Sequence, residues 1–336
     1  MIDIIIIGDG IIGRTLAYKA CKQGRRVTII SQPQPGIAPQ ASAGMLTPTA
    51  EVQTAESSLI QLALHSCKLY PNFVKELEKD SDTTCGYTKS GTLMLALHRD
   101  HINELRNLAQ TQHAFGLRVE QLHRTQLLNL EPNLSPNVQG ALLAKNDHHI
   151  NPLRTHQALG QALKRYEVPI ITAQDVALKI TNKGVSGVHY RSPNKVKTLL
   201  ASNIIVAAGS WTNQILPKNM QLPARPIKGQ YLRLKGAPLI DRVVRTPDVY
   251  LIPRQNGELY VGASNEDQGF DKKITAGAIM ELLYHAWQAL PGTYELEVIE
   301  KGFGFRPSLR DNLPAIGKTS INGLSLATGH YRHGVM

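Results

Sequence analysis

Glycines at positions 8, 10 and 13 lie between the run Ile4–Ile7 and a segment beginning at Ile11, the spacing of a turn that cradles a phosphate. Each glycine has its own reason. Gly8 permits the tight strand-to-helix turn, Gly10 admits backbone amides to a pyrophosphate, and Gly13 lets the helix pack closely on the strand. Ile11 and Ile12 open that helix, whose N-terminus faces the phosphate charge. Two arginines point to a second chemistry. Arg306 in GFRP and Arg332 in GHYRHG sit inside glycine- and proline-rich apolar stretches. An unpaired buried guanidinium is costly, so each is expected to meet an anionic ligand or an acidic partner. Cys21, Cys67 and Cys85 form no CxxC pair, and no evident Cys/His or His/Asp constellation accompanies the arginines, so no metal site is expected.

Elements must position these groups. Residues 3–8 read as a strand buried on both faces, 11–23 as a helix stopped by Gly24, and 25–30 as the next strand, which completes a βαβ unit. The acidic residue expected about 20 positions on, to bind a ribose, is replaced by Ser31 and then Gln32. Either can hydrogen-bond a ribose with some loss of affinity. A long helix is expected over 57–77, a strand over 87–98, and helices over 100–113 and 153–165. The stretches VPIITAQDVALKI, GVSGVHYRS and KTLLASNIIVAAGSW read as strands leading to a second buried strand over 203–208 that ends at Gly209. Residues 225–262 read as antiparallel strands with Gln255-Asn256-Gly257 as a hairpin turn, followed by a helix over 275–289 and a strand over 294–301.

The totals agree with a soluble globular protein. A chain of 336 residues has room for two domains, and 42% hydrophobic with 19% charged residues is ordinary globular composition. The net charge of +11 raises a nucleic-acid or membrane partner. However, Lys and Arg are scattered with no run longer than two, so neither is expected, and a positive funnel for small anions suits the charge better. The short N-terminal IIII run is no signal h-region or membrane span, and the sparse cysteines suit a reducing compartment, so the cytoplasm is expected.

Taken together, GDGIIG, ASAGMLTP, VAAGSWTN, RPIKGQYLRL, YLIPR, VGASNEDQGFD, GFRPSLRDNLPAIG and ATGHYRHGV resemble the glycine oxidases of thiamine biosynthesis, a branch of the D-amino-acid oxidase superfamily. The resemblance spans essentially the whole chain. It implies an α/β Rossmann-like FAD-binding domain (1–85, 146–222 and 302–336) beside an α+β substrate domain with an antiparallel sheet (86–145 and 223–301). It implies non-covalent FAD, a small amino acid or amine substrate, oxygen as oxidant, and a homo-oligomer. Arg306, Tyr250 and Arg332 take the substrate carboxylate in this reading, because planar guanidinium groups grip carboxylates bidentately. Ser42, Ala43, Gly44 and Met45 fall beside the flavin; Val176, Gly209, Trp211, Gly329, His330 and Gly334 complete the cofactor set. Family members carry a further helix after GHYRxGV, and the sequence ends at Met336 before it: either it is a piece of a longer one, or, if the protein itself ends there, FAD binding and activity are expected to be impaired.

The implied reaction is dehydrogenation of glycine or a similar amine to the imine, which gives glyoxylate and ammonia or passes to thiazole assembly, with hydrogen peroxide formed from oxygen. Alternatives are another amine or D-amino-acid dehydrogenase of the superfamily, an accessory protein keeping the fold without turnover, and an NAD-dependent dehydrogenase. Monomeric sarcosine oxidases tether their flavin through a cysteine near the C-terminal motifs, and none of the three cysteines lies there.

Overall fold

The computed structural model describes residues 2–192 and 195–336. Strand β1 (Ile4–Ile7) is a β-branched run buried from Ile5 onward, which suits the middle of a parallel sheet. It pairs in parallel with β2 (Val27–Ser31) on one side and with Ile204–Val206 on the other. The full six-stranded order is 315–318, 324–328, 204–206, β1, β2, 170–172. Helix α1 (Ile11–Lys22) crosses between β1 and β2 and buries Ala17 and Tyr18. It packs with the helix Pro152–Arg165, which starts cleanly because Asn151 accepts a hydrogen bond from the Arg154 amide and Pro152 needs no donor.

A second, eight-stranded sheet takes its strands from 92–144 and 225–308, in the order 297–308, 225–235, 258–262, 250–253, 243–245, 92–96, 140–144, 120–123. All its pairings are antiparallel except that of 243–245 with 92–96. The expected hairpin turn is present: Asn256 and Gly257 have φ of 62° and 71°, a conformation that the Asn-Gly pair tolerates. Helix Ala276–Ala289 covers one face through Leu282 and Ala286, closing a core with Leu93, Leu232 and Leu251.

Three elements depart from the sequence reading. The segment VPIITAQDVALKI is two strands, since Ile170–Thr172 joins β2 while Gln174–Thr181 turns away into a three-stranded sheet. The strand expected over 87–98 is shorter, Thr92–Ala96. The strand expected over 294–301 runs instead from Glu297 to Ser308, a twelve-residue edge strand preceded by a short 3-10 turn. It therefore carries Arg306 into the antiparallel sheet by hydrogen bonding, because residues 302–308 keep pairing with 225–231. Among the described residues, no helix is long and apolar enough to cross a membrane.

Candidate active site

The two large sheets meet around a cavity of about 710 Å³. One end is walled by the glycine-rich turn from Ile7 to Ile12 and by Ser31 and Gln32 at the end of β2. The three glycines there divide as their spacing predicts. Gly8 has a φ of +123°, and a Cβ on it would lie 2.3 Å from the Ala207 carbonyl oxygen. A Cβ on Gly13 would lie 1.9 Å from the Gly8 oxygen, so Gly13 sits beneath the turn as a packing residue and not on the wall. A Cβ on Gly10 would meet no atom within 4 Å. Gly10 lines the cavity just before the N-terminus of α1, so its missing side chain leaves open space where a pyrophosphate would approach. The residues present fit a dinucleotide.

Asp9 adds a carboxylate to this turn, and Arg14 neutralises it. Arg14 Nε and Nη2 donate to the two Asp9 oxygens at 2.6 and 2.8 Å, while Nη1 donates to the His156 carbonyl at 2.8 Å. His156 Nε2 lies 2.8 Å from the Asp9 carbonyl oxygen; a carbonyl only accepts, so Nε2 carries the proton. Burial and the neighbouring Arg14 push the His156 pKa down, which keeps the ring neutral. Sequence reasoning passed over this group, although Asp9 stands inside the quoted GDGIIG motif.

The middle of the cavity is bounded by the loop Ala41–Met45, and its fastening is tertiary. A Cβ on Gly44 would lie 2.1 Å from the Ile150 oxygen. Arg254 donates from Nη2 to the Ala43 carbonyl and from Nη1 to that of Ile150 at 2.8 Å; burial pushes its pKa down to about 10. Tyr260 donates its hydroxyl to the Ala41 carbonyl at 2.5 Å. Arg254 and Tyr260 are positioning residues that the sequence did not single out, though Arg254 ends the motif YLIPR. Opposite, Trp211 stacks on Phe270 at a centroid distance of 5.4 Å and meets Phe305 edge-on at 6.0 Å.

The other end of the cavity collects the expected carboxylate ligands. Tyr231, Tyr260 and Tyr250 stand in a rank across three strands, with the Tyr250 and Tyr260 ring centroids 6.3 Å apart and their planes 4° from parallel. Glycines make room for them: the Tyr250 ring lies over Gly262, and the Arg306 guanidinium lies over Gly229, 2.5 to 2.6 Å from where a Cβ would be. Arg306 Nη1 donates to the Ser264 carbonyl at 3.1 Å. Burial works to lower the Arg306 pKa, but the hydroxyls of Tyr250, Tyr260 and Tyr331 outweigh it and raise the value, so the group stays charged.

Arg332 is placed differently. It lines the cavity, but its Nη2 donates to Glu56 at 2.7 Å and its Nε lies 4.0 Å from Glu51. Glu51 also holds Arg245 at 2.7 Å. Burial raises the Glu51 carboxyl, yet Arg245, His333 and Arg332 outweigh it and hold the pKa at about 2. Two buried glutamates thus take the guanidinium that the sequence assigned to a substrate. Of the other expected cofactor residues, Ser42, Ala43, Gly44, Met45, Gly209, Trp211, His330 and Gly334 line the cavity. Val176 does not; it packs in the core with Ile30 and Val188, because its strand has left the parallel sheet. Gly329 also lies off the wall, with Leu309 against the place of its Cβ.

Comparison with known proteins matches this architecture. The model of a family described as FAD dependent oxidoreductase (DAO) covers residues 3–336. The chain is 30% identical over 349 residues to the bifunctional protein ThiO/ThiG of Trichormus variabilis, covering 99% of this chain and 50% of that one. It thus spans about half the length of that relative. A glycine oxidase of Geobacillus kaustophilus is 27% identical over 340 residues, with 99% of this chain and 89% of the relative covered. The crystal structure of a glycine oxidase from Bacillus cereus superposes with a TM-score of 0.90 at 25% identity, covering 100% of this chain and 91% of that one.

Proposed function

The chain belongs to the DAO family of FAD-dependent oxidoreductases, and we propose that it oxidises glycine, or a similar small amine or D-amino acid, in the cavity described above. One observation carries this reading. The Arg306 guanidinium is charged, has no acidic partner within 4 Å among the described residues, and stands on the wall of the same cavity as the glycine-rich turn. A substrate carboxylate satisfies it bidentately, with Tyr250 beside it. Bound FAD supplies the two-electron acceptance, since neither the arginines nor the tyrosines can.

The chain's own contribution is binding and orientation. Gly8, Gly10 and the α1 N-terminus would hold the pyrophosphate, Ser31 the ribose, and Ala43–Met45 the ring system. Arg306 and Tyr250 fix the substrate by its carboxylate and leave its α C–H and amine directed into the remaining cavity, so catalysis rests on positioning. Overall, glycine, oxygen and water give glyoxylate, ammonia and hydrogen peroxide. The names of the ThiO/ThiG relatives and the motif resemblance support delivery of the imine to thiazole assembly in thiamine biosynthesis.

The test is an absorbance spectrum of the purified protein followed by anaerobic addition of glycine. Flavin bands at about 375 and 450 nm that bleach are the expected result. A flavin-loaded protein that glycine, sarcosine and D-alanine all leave oxidised would overturn the reading.

A further inference from the structure

Lys228 is fully buried, alone among the lysines and arginines of the described residues. It stands in the strand Arg225–Lys235, next to the Gly229 over which the Arg306 guanidinium lies. Side chains alternate along a strand, so where Gly229 lines the cavity, Lys228 and Gln230 leave from the opposite face. A buried ammonium needs acceptors for its three N–H groups. Nζ donates to Asp271 at 2.7 Å and to the Lys273 carbonyl at 3.1 Å, and lies 2.9 Å from Glu266. Burial works to lower its pKa, but Asp271 and Glu266 outweigh it and raise the value, so the group stays charged. All three acceptors belong to the segment 263–275, whose first residues, Ala263, Ser264 and Asn265, line the cavity.

Glu266 carries this fastening inward. Its Oε1 accepts from the Gln230 side-chain amide at 2.7 Å and from the Ser264 hydroxyl, which itself accepts from the Gln230 backbone N–H at 2.8 Å. Main-chain hydrogen bonds between Lys228 and Glu266, at 2.9 and 3.0 Å, close the same ring. The Ser264 carbonyl, fixed in this way, accepts from Arg306 Nη1 at 3.1 Å. Arg306 has no acidic partner within 4 Å among the described residues, so this carbonyl, the Gly229 backbone and the tyrosine hydroxyls set the direction of its fork.

Resting on the function proposed above, we infer that Lys228 is a positioning residue for the substrate: it fastens the segment 263–275 from behind the wall, so that the Ser264 carbonyl holds the Arg306 guanidinium in the direction that grips a carboxylate. The ammonium does not line the cavity; it acts through Glu266, Ser264 and Arg306 in turn. Without it, Glu266 and Asp271 face each other across the vacated place and repel, which frees the segment. A guanidinium misplaced by about 1 Å forfeits up to about 100-fold of its effect.

The test is a double-variant cycle on the FAD-loaded enzyme. Acetate, a carboxylate without an amine, is titrated into oxidised wild type, K228M, R306Q and K228M/R306Q, followed by the flavin spectrum, and KM for glycine is measured alongside. R306Q should weaken acetate binding by about 100-fold, since two charge-assisted hydrogen bonds are lost. K228M should weaken it by about tenfold and raise KM to match. The double variant should bind within about twofold of R306Q, because Lys228 acts only through Arg306. A merely structural lysine would lower Tm and leave the acetate affinity of the folded protein unchanged. Should K228M fail to fold, D271A decides: it removes one acceptor of Lys228 without touching Ser264 or Arg306, and should weaken acetate by about threefold in wild type and not at all in R306Q.

Acetate binding needs no turnover, so a protein inert towards glycine still reads out the cycle. An R306Q enzyme that binds acetate as wild type does, or a wild type whose spectrum acetate leaves unchanged, overturns the reading of Arg306 and the inference with it. Weak binding by R306Q, combined with wild-type affinity in the folded Lys228 or Asp271 variant or with losses that multiply in the double variant, overturns the inference alone.

Discussion

Replacing Arg14 with alanine should weaken FAD binding chiefly by uncovering Asp9. The Arg14–Asp9 pair is bidentate, with side chains only 15% and 18% exposed, and Asp9 is part of the turn that faces the pyrophosphate. At an effective dielectric constant of about 20, each phosphate charge within about 8 Å of an unpaired carboxylate costs about 2 kcal/mol, or roughly 30-fold in Kd. R14A also loses the hydrogen bond to the His156 carbonyl and the packing of the guanidinium over Gly160. That structural loss is shared by the double variant D9N/R14A, which carries no charge at position 9. The assay is the FAD dissociation constant of each apoprotein by fluorescence titration, with circular dichroism to check folding. R14A should bind roughly 30-fold more weakly per phosphate charge, and D9N/R14A should recover to within about tenfold of wild type. A double variant binding as weakly as R14A would refute the charge argument and leave Arg14 as a packing residue.

Gly10 and Gly8 should fail in opposite ways. G10V has open space for its side chain and an ordinary extended φ of −79°, so it should fold with a nearly unchanged Tm while losing FAD by more than about 100-fold in Kd. G8A must place a Cβ 2.3 Å from a backbone oxygen at positive φ, which should cost more than about 3 kcal/mol in denaturant unfolding. G229A drives a Cβ into the movable end of Arg306, so the fold should survive while KM for glycine rises about tenfold or more. His149, whose pKa is pushed to about 3 by burial, Arg254 and His148, is neutral in the fold and accepts from Arg254 at 3.2 Å. Its folded pKa lies below the unfolded value, so the stability it contributes is complete above pH 6.5 and declines as pH falls towards 3. Roughly 2 kcal/mol should be lost between pH 6.5 and 5, and chemical denaturation of H149Q should show a flatter slope. An identical slope would remove His149 from the account.

Much of the fold was legible because its signals are local. The β-branched run, the glycine spacing and the helical period of 11–23 all lie within about thirty residues, and hydrogen bonds inside one βαβ unit enforce them. The hairpin at Gln255–Gly257 was equally readable, since Asn-Gly selects its own turn. The split at Ala173 was not, because 168–180 carries strand-forming residues on both sides of Gln174-Asp175 and only the neighbour on each side decides which sheet receives which half. Strand 297–308 was likewise underestimated: GFGFR shows no simple alternation, and its pairing partner, 225–235, lies about seventy residues upstream.

The site divides along the same line. Sequence alone determined that a glycine-rich turn opens a helix after a buried strand, that Ser31 stands where an acid was expected, and that Arg306 and Arg332 lie in apolar surroundings needing an anion. Both arginines look alike at that level. Only the tertiary structure separated them, handing Arg332 to Glu56 from 276 positions away and leaving Arg306 on Gly229 with tyrosine hydroxyls around it. The physical reason is that a buried charge takes whichever counter-charge the fold brings within hydrogen-bond reach, and that choice is made by contacts distant in the chain, which no local pattern of residue types records.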